Sequence, residues 1–468
     1  MALPPRPVWL VLADPLSTRV LVESGVVDRL GERLGDRLQP VFLLPRDAAA
    51  TWEARLPEGA RSALHHEDLY PADVPLPEKV LRRSDRWLDR NLGYYPLAIR
   101  LNYRHGLHLE RMQPGHRNEL LDSARVGRLP RHPAVDRAMT RWHFSTRRYV
   151  AHALARRLAA ERPALVLSNL QMQSAVPFLL AGWRLGLPLV GNVASWDHTV
   201  GKGVISPRLD RYLVQNERMR GDLVRYHGVP EARIVVTGWP QSDVFAVPRP
   251  REAYEAVVRG YGLDPARPLV LVMGNTPTNT PSEERFFARL VSWWRDSGAD
   301  ARFSLLFRPH PRDRQWRMRF AGALEVPGAA VQEPSFTDID VLATLLQHGD
   351  CVVTNAGTIL LDALVNDRPV VCVLYDEGCG PPEESWAAKS VIGEHYRDVA
   401  SSGAYHAARS FEEVVAGIER SLADPGELAG RRRRVVEVVV GQVDGHVADR
   451  FAEAALALAY APLDGEPG

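Results

Sequence analysis

Residues 351–374 read CVVTNAGTILLDALVNDRPVVCVL: a short apolar run, a polar turn, a helical stretch and a second apolar run. The two apolar runs, Cys351–Thr354 and Pro369–Leu374, have the length and the valine content of buried strands. Two strands joined by a helix form a β-α-β unit, in which the strands lie parallel and the helix covers the sheet. The stretch therefore predicts an α/β fold built on a parallel sheet.

The same alternation extends through most of the chain. It is interrupted at Val247-Pro248-Arg249-Pro250 and then restarts. We therefore predict two Rossmann-like domains, residues 1–245 and 246–468, and we leave open whether the helical stretch Val435–Ala461 crosses back to the first domain. The other predicted strands are Val8–Ala13, Pro40–Leu44, Ala164–Ser168, Leu187–Val193, Arg211–Val214, Arg233–Thr237, Pro268–Met273 and Phe303–Phe307, and further predicted helices are Thr18–Leu34, Ser174–Leu185, Glu217–Tyr226 and Glu252–Tyr261.

Length and composition agree with this division. The chain has 468 residues, of which 45% are hydrophobic and 25% charged, and its net charge of +1 gives no overall field for nucleic acid. No apolar run reaches the roughly 20 residues of a membrane span. Arginine greatly outnumbers lysine, which favours a GC-rich bacterial source. We expect a cytoplasmic protein with at most peripheral membrane contact, no cofactor, no metal, and three reduced thiols at Cys351, Cys372 and Cys379.

Residues 79–162 differ from the rest of the chain. They contain 19 Lys and Arg against 7 Asp and Glu, with aromatic residues between them. One interpretation is an arginine-rich helical insertion with a solvated face. The alternative is a patch for an anionic acceptor or an anionic membrane surface.

A first candidate site follows the predicted strand Phe303–Phe307. The strand leads into Arg308-Pro309-His310-Pro311, and ligands of open α/β sheets bind outside the carboxyl ends of the strands. Arg308 and His310, held by a turn that two prolines stiffen, can donate hydrogen bonds to phosphate oxygens. The alternative is a loop arginine and a helix-start histidine without a ligand.

A second polar turn follows Cys351–Val353 and contains Thr354, Asn355, Gly357 and Thr358. Gly357 allows the backbone to approach a ligand, and the free N–H groups of the helix that begins there favour a phosphate. Asp362, one turn into the helix, is placed to accept from ribose hydroxyls. The alternative is a first-turn acid that complements the helix dipole.

A third turn follows Pro268–Met273 and begins Gly274-Asn275-Thr276-Pro277. Its amide and hydroxyl side chains, Asn275 and Thr276, could form a cradle for a diphosphate. Ordinary turn and helix-capping chemistry is an equal alternative.

The first half of the chain offers a candidate catalytic base. Strand Leu187–Val193 leads into Ser195-Trp196-Asp197-His198, and Lys202 follows. A transferase must remove the proton of its acceptor hydroxyl, which Asp197 or His198 could do, while Lys202 could neutralise phosphate charge. The alternative is a structural turn with a surface histidine.

With these motifs identified, the chain resembles the transferases of the GT-B fold that build surface polymers, especially the CDP-glycerol glycerophosphotransferase group of teichoic-acid synthesis. That group carries a Trp-His-Gly-Thr-Pro loop, a Pro-His-Pro turn and a Thr-Asp-Tyr-Ser-Ser-x-x-x-Asp turn, which Trp196–Gly203, Arg308–Pro311 and Thr354–Asp362 resemble. The Pro-His-Pro turn is also similar to the His-Pro motif of bacterial sialyltransferases. The resemblance covers residues 164 to 455, and includes Gly228–Asp243 and Asp444–Arg450.

The resemblance implies two Rossmann-like domains that face a central cleft. It also implies a nucleotide-activated donor (UDP-, GDP-, CDP- or CMP-linked) that binds to the C-terminal domain. The acceptor would carry a hydroxyl group, either on a free molecule or on a lipid-linked one, and would bind to the N-terminal domain. His310 would contact the departing phosphate, without a bound metal. The chain departs from the pattern where Asp197 replaces the loop histidine, Asn355 replaces the aspartate and Gly357-Thr358 replace the serine pair.

Three functions are compatible with these residues. The first is transfer of a glycosyl or glycerophosphoryl group in bacterial surface polysaccharide or glycoconjugate synthesis. The second is isomerisation, as in non-hydrolysing UDP-N-acetylglucosamine 2-epimerases, which share the two-domain build. The third is binding of a nucleotide or glycan without catalysis, which the departures at Asp197 and Gly357 leave open.

Overall fold

The computed structural model describes residues 5–12, 15–57, 64–71, 73–94, 138, 141–145, 148–170, 172–206, 208–277, 280, 282–380, 385–391 and 393–460. These residues form two compact units. The first unit contains the described residues up to Asp243 together with those from Asp444 onward, and the second unit is Val244–Val443. Within the described ranges, no helix combines the length and the apolar character needed to span a bilayer.

A fully parallel sheet organises the first unit. Its strand order is β3-β2-β1-β4-β5-β6-β7, so the order reverses between β1 and β4. Val8 pairs with Pro40 on one side and with Leu165 on the other, which fixes the register at this point. The strands are β1 (Arg6–Val11), β2 (Leu38–Leu44), β3 (Leu64–His65), β4 (Leu165–Asn169), β5 (Leu189–Asn192), β6 (Arg211–Val214) and β7 (Ile234–Val236).

Helices accompany this sheet. The predicted helix Thr18–Leu34 is divided in two because Gly25 adopts a left-handed conformation with φ of 77°. The helix predicted over Glu217–Tyr226 ends at Asp222 and continues as a π-helical turn, Leu223–His227. The helices are α1 (Pro15–Glu23), α2 (Val26–Arg33), α3 (Arg46–Trp52), α4 (His66–Leu69), α5 (Leu76–Leu88), α6 (His152–Glu161), α7 (Met172–Arg184), α8 (His198–Gly201) and α9 (Glu217–Asp222), followed by α10 (Gln241–Ala246) where the first unit gives way to the second.

The second unit contains another parallel sheet, with the order β10-β9-β8-β11-β12-β13. This is the 3-2-1-4-5-6 order of a Rossmann fold, and it reverses between β8 and β11. Every residue of β8, β9, β11 and β12 is buried, because helices cover both faces of the sheet. The strands are β8 (Leu269–Met273), β9 (Ser304–Arg308), β10 (Ala329–Val331), β11 (Cys351–Thr354), β12 (Val370–Val373) and β13 (His406–Ala408).

Aromatic packing fills the core of the second unit on the side of α12. Phe287 stacks on Phe320 with ring centroids 4.5 Å apart and meets Phe307 edge-on at 5.5 Å. The helices of this unit are α11 (Arg251–Gly260), α12 (Glu283–Asp296), α13 (Trp316–Arg319), α14 (Ala321–Leu324), α15 (Ile339–His348), α16 (Thr358–Val365), α17 (Trp386–Ser390), α18 (Arg397–Ser401), α19 (Phe411–Ala423) and α20 (Ala429–Val439).

The last described helix, α21 (Val447–Leu456), belongs to the first unit, where it packs against α2 and β6. The sequence suggested one helical stretch over Val435–Ala461, but α20 and α21 are separated by a turn in which Gly441 and Gly445 have positive φ. In the arginine-rich stretch, residues 95–137, 139–140 and 146–147 lie outside the described residues. The predicted α/β class with two Rossmann-like units is confirmed.

Candidate functional site

The three predicted polar turns of the second unit meet at the carboxyl edge of its sheet. The backbone N–H of Gly274, after β8, donates to the carbonyl of Arg308 at the end of β9 over 2.9 Å. The hydroxyl of Thr354, at the end of β11, donates to the carbonyl of Met273 over 3.1 Å. Because β8 and β11 flank the reversal of strand order, this edge is where a Rossmann sheet leaves a crevice for a ligand.

The start of α16 lies in contact with the turn after β8. A Cβ atom placed on Gly357 would lie 3.9 Å from the Asn275 amide nitrogen, an ordinary contact distance, so the two turns are neighbours there. Thr358, the first residue of α16, is exposed. An exposed hydroxyl beside the free N–H groups of a helix start is suited to a phosphate group.

Tyr396 lies under this turn and is 1% exposed. Burial raises the pKa of its phenol well above the ordinary value, and the backbone N–H of Gly357 faces the hydroxyl. The Tyr396 side chain therefore packs against the backbone of this turn, and its phenol stays protonated. Sequence analysis did not identify it, and no local pattern marks it.

Arg308 has a different environment from the one predicted. Its side chain is 7% exposed, and its two terminal nitrogens donate to the carboxylate of Asp338 over 2.9 and 2.8 Å. Gln332 donates to the same carboxylate over 2.9 Å. The guanidinium is therefore bound within the protein and holds the loop after β9 in place, and the predicted contact of Arg308 with a phosphate remains a prediction.

Asp362 is buried as well. It is 3% exposed and lies on the buried side of α16, and its predicted contact with ribose hydroxyls remains a prediction. Asn355 and Thr354 are buried as well: the Asn355 amide donates to the carbonyl of Val373 over 3.1 Å. These three side chains lie within the wall of the candidate site, and Thr358 lies on its surface.

His310 keeps a geometry that suits phosphate binding. The half-buried ring accepts a hydrogen bond at Nδ1 from the backbone N–H of Arg312 over 3.1 Å. A neutral imidazole that accepts at Nδ1 carries its proton on Nε2, so that nitrogen is a donor. The predicted contact between His310 and a departing phosphate remains a prediction.

The turn after β8 is held by internal hydrogen bonds. The Asn275 side chain accepts from the Thr276 N–H over 2.7 Å, and the Thr276 carbonyl accepts from the Thr280 N–H over 3.0 Å. The Asn275 N–H donates to the carboxylate of Glu283 over 2.9 Å. The amide and hydroxyl chemistry of this turn therefore shapes the loop itself, while its role as a diphosphate cradle remains a prediction.

A buried group of charges lies behind these turns, and sequence analysis missed it. Arg319 donates to Glu283 over 3.0 Å, to Asp313 over 2.5 Å and to the carbonyl of Thr280 over 3.3 Å. Burial raises the pKa of Glu283 to about 8, although Arg319 opposes the change. The sequence Thr280-x-x-Glu283 before a helix is a capping-box pattern and was the available signal, but here the carboxylate reaches the neighbouring turn.

In the first unit, the predicted base candidates do cluster after β5. Asp197 accepts from the Ser195 hydroxyl over 2.5 Å. Its carboxylate oxygens lie 3.7 Å from Nε2 of His198 and 3.9 Å from Nζ of Lys202. His198 is 3% exposed and, with Lys202, lines a cavity of about 60 Å³. Asp197, at 27% side-chain exposure, is the more accessible of the two base candidates.

His227 lies behind this cluster as a structural residue. Its Nδ1 accepts from the Ile205 N–H over 2.9 Å, and its Nε2 donates to the Thr199 carbonyl over 2.7 Å. Burial lowers the pKa of His227 to about 4, so it stays neutral. It therefore anchors α8, which carries His198 and Thr199, to the following π-helical turn.

No protein-family model matches the chain, and no curated protein matches it in sequence. Its fold matches solved structures. The S. aureus MnaA structure with UDP has a TM-score of 0.56 at 12% identity, covering 99% of each chain. UDP-GlcNAc 2-epimerase from Neisseria meningitidis, bound to UDP-GlcNAc, has a TM-score of 0.54 at 10% identity, covering 96% of this chain and 100% of that chain.

The wall teichoic acid polymerase TagF has a TM-score of 0.45 at 12% identity, over 64% of this chain and 73% of its own, too low a score to support an argument. The likeness to the first two structures establishes the fold: two Rossmann-like domains of the GT-B type, as predicted. It does not establish a CDP-glycerol donor.

Proposed function

We propose that this protein is a transferase that moves a glycosyl or glycerophosphoryl group from a nucleotide-activated donor to a hydroxyl acceptor, in the synthesis of a bacterial surface polysaccharide or glycoconjugate. The convergence of three polar turns at the strand-order reversal of the second unit carries this proposal. Such an edge, completed by a helix start, suits the diphosphate of a nucleotide donor.

The donor site would use the groups on the surface of that edge. The Nε2–H of His310, the hydroxyl of Thr358 and the N–H groups at the start of α16 would donate to the diphosphate. As the bond between the transferred group and the phosphate oxygen breaks, negative charge grows on that oxygen, and fixed donors stabilise it. Arg308 and Asp338 would hold the loop that carries His310.

The acceptor would be activated by a residue of the first unit. Asp197 would take the proton of the acceptor hydroxyl as its oxygen forms the new bond, and Lys202 would balance the negative charge nearby. His198 is the alternative base, but its burial favours a supporting role. The resemblance to the glycerophosphotransferase group makes a CDP-linked donor one candidate. The neighbours determined with UDP and UDP-GlcNAc make a uridine donor another.

A nucleotide-sugar 2-epimerase is the second candidate, and the similarity of the fold to a solved epimerase supports it. The Neisseria meningitidis structure, with a TM-score of 0.54, is that of a UDP-GlcNAc 2-epimerase. An epimerase of this kind would interconvert sugars on the donor without an acceptor. Carboxylates facing the sugar would be needed, and Glu283, Asp313 and Asp362, which lie near the second unit's edge, are all buried.

Thermal-shift titration with UDP-GlcNAc, CDP-glycerol and GDP-, CMP- and dTDP-linked sugars tests donor binding. We expect one donor to raise the melting temperature of the wild type. His310→Ala should abolish the shift, and Arg314→Ala, an exposed substitution in the same loop, should leave it unchanged. Absence of a shift with every donor would contradict the donor site, and an unchanged shift in His310→Ala would remove His310 from it.

NMR of the stabilising donor, incubated with the protein and no acceptor, separates the candidates. An epimerised nucleotide sugar would favour the epimerase. Free nucleotide released only when an acceptor is present, and lost in Asp197→Asn with donor binding retained, would favour the transferase. Binding without either reaction, in the presence of a bacterial membrane extract as acceptor source, would favour a non-catalytic binding protein.

A further inference from the structure

A second, larger cavity lies in the first unit, and it shares Asp89 and Val176 with the small cavity that His198 and Lys202 line. Its volume is about 590 Å³, within the range of small-molecule sites. His66, which directly follows β3, and Pro177, in the second turn of the helix after β4, both line it. The cavity therefore lies at the carboxyl edge of the first sheet, the edge at which α/β proteins bind ligands.

The lining of this cavity is cationic. Five basic side chains face three carboxylates, and one of those carboxylates, that of Asp89, is fully engaged by an arginine. The charges of these lining side chains sum to +2, but three of the cations are paired within the protein: Arg148 with Asp89, Arg82 with Glu78 over 2.9 Å, and Lys79 with Asp73 over 3.1 Å. The basic side chains are Lys79, Arg82, Arg83, Arg86 and Arg148.

Two of these arginines are held rigidly. The guanidinium of Arg82 lies 4.2 Å from the ring centroid of Tyr70 and 5.0 Å from that of Tyr149, and it donates to the Pro71 carbonyl over 2.6 Å. Arg148 donates to both oxygens of Asp89 over 3.0 and 2.5 Å. Side chains fixed in this way lose little entropy when a ligand binds, so the wall of the cavity is preorganised.

The other two arginines are available to a ligand. Arg83 and Arg86 are exposed and lie one helical turn apart on α5, and their guanidinium groups make no ion pair or hydrogen bond within the described part of the chain. A solvated helix face commonly carries such residues. Here they border a concave cavity and are the two cations of its lining that make no ion pair within the described residues, so together they form a fork suited to the oxygens of one phosphate group.

We propose that this cavity binds a phosphate ester and thereby holds the anionic end of the acceptor. The chemical class is a phosphate monoester or diester on a small alcohol, either free in solution or on the headgroup of a lipid. The assignment to the acceptor rests on the proposed transferase function, whereas the assignment of an anion site rests on the cavity alone.

The test compares two double variants that remove the same charge. The rim variant, Arg83→Ala/Arg86→Ala, removes both exposed arginines that line the cavity. The control, Arg37→Ala/Arg156→Ala, removes two exposed arginines of the same unit that do not line it. Titration calorimetry with glycerol phosphate at low salt measures the free ligand. Sedimentation with phosphatidylglycerol vesicles, against phosphatidylcholine vesicles, measures the membrane-borne one.

We expect binding of the wild type in at least one of the two assays, weakened at least about tenfold in the rim variant and less than about twofold in the control. The assay that shows the loss identifies the source of the phosphate. Equal weakening in both variants would show a general charge effect and overturn the proposal, as would the absence of binding in both assays.

The donor-induced thermal shift, measured on the same variants, keeps the two proposals apart. We expect it to be unchanged in the rim variant, because the donor turns belong to the second unit. A wild type that binds glycerol phosphate but no donor would retain the anion cavity and contradict the transferase.

Discussion

Replacing Glu283 by glutamine tests whether the carboxyl group behind the donor turns holds a proton near neutral pH. Burial raises the pKa of Glu283 to about 8 from an ordinary value of 4.5. The folded protein then keeps this proton over a pH range in which the unfolded chain has released it. The free energy of unfolding should therefore fall as the pH rises between these two values, and the contribution is complete only below the lower one.

The size of the effect follows from the two pKa values. Proton linkage for this one group gives a loss of about 3 kcal/mol in the free energy of unfolding between about pH 5.5 and about pH 8. Glutamine has the shape of the protonated side chain, can still accept from the Asn275 N–H, and does not ionise. Glu283→Gln should therefore lack this part of the pH dependence.

Urea unfolding at the two pH values measures this loss in the free energy of unfolding. Hydrogen exchange of peptides from β8 identifies the unfolding transition of the second unit. The matched control is Glu284→Gln. Glu284 lies 3.5 Å from Arg319 but is 42% exposed, so it should leave the pH dependence as in the wild type. If Glu283→Gln loses as much stability as the wild type on going to the higher pH, the carboxyl group is ionised throughout and the reasoning fails.

Three further perturbations have expected outcomes. Asp338→Ala leaves Arg308 buried without its partner and should cost about 3–5 kcal/mol in urea unfolding, whereas Asp340→Ala, at an exposed ion pair, should cost less than about 1 kcal/mol; equal costs would contradict the pairing. Native protein treated with iodoacetamide near neutral pH should be alkylated at Cys379 alone, as read by mass spectrometry, because the other two thiols are buried in β11 and β12 and burial raises their pKa; labelling of all three would refute this. Asp243→Ala removes the acceptor of two N–H groups at the start of α21 and should cost about 1–2 kcal/mol, with faster amide exchange in that helix; unchanged exchange would count against the cap.

The architecture could be predicted because its signals are local. Each central strand, such as β8 or β11, is a short run buried on both faces, and the turn after it is polar. The short edge strands β3, β10 and β13 were missed, since two or three residues carry too little periodicity. The positions of Thr354 and Gly274 at one edge followed directly from parallel strands.

The partners of the site residues could not be predicted in the same way. Arg308 and Asp338 are 30 residues apart, so the ion pair between them exists only in the folded chain. The burial of Asp362 depends on which side of α16 meets the sheet. The charge group around Arg319 joins two loops and a helix, and only the capping-box spacing before Glu283 hints at it.

The return of the chain to the first unit separates the order of synthesis from the order of folding. The carboxylate of Asp243 accepts from the Val447 and Ala448 N–H groups over 3.1 and 2.8 Å, and Arg211 donates to the Ala454 carbonyl over 2.7 Å. The ribosome synthesises α21, which makes these contacts, roughly 200 residues after β7. At about 5–20 residues per second, the delay between the two is tens of seconds. During that interval the whole second unit emerges, so the part of the protein begun first is the part completed last.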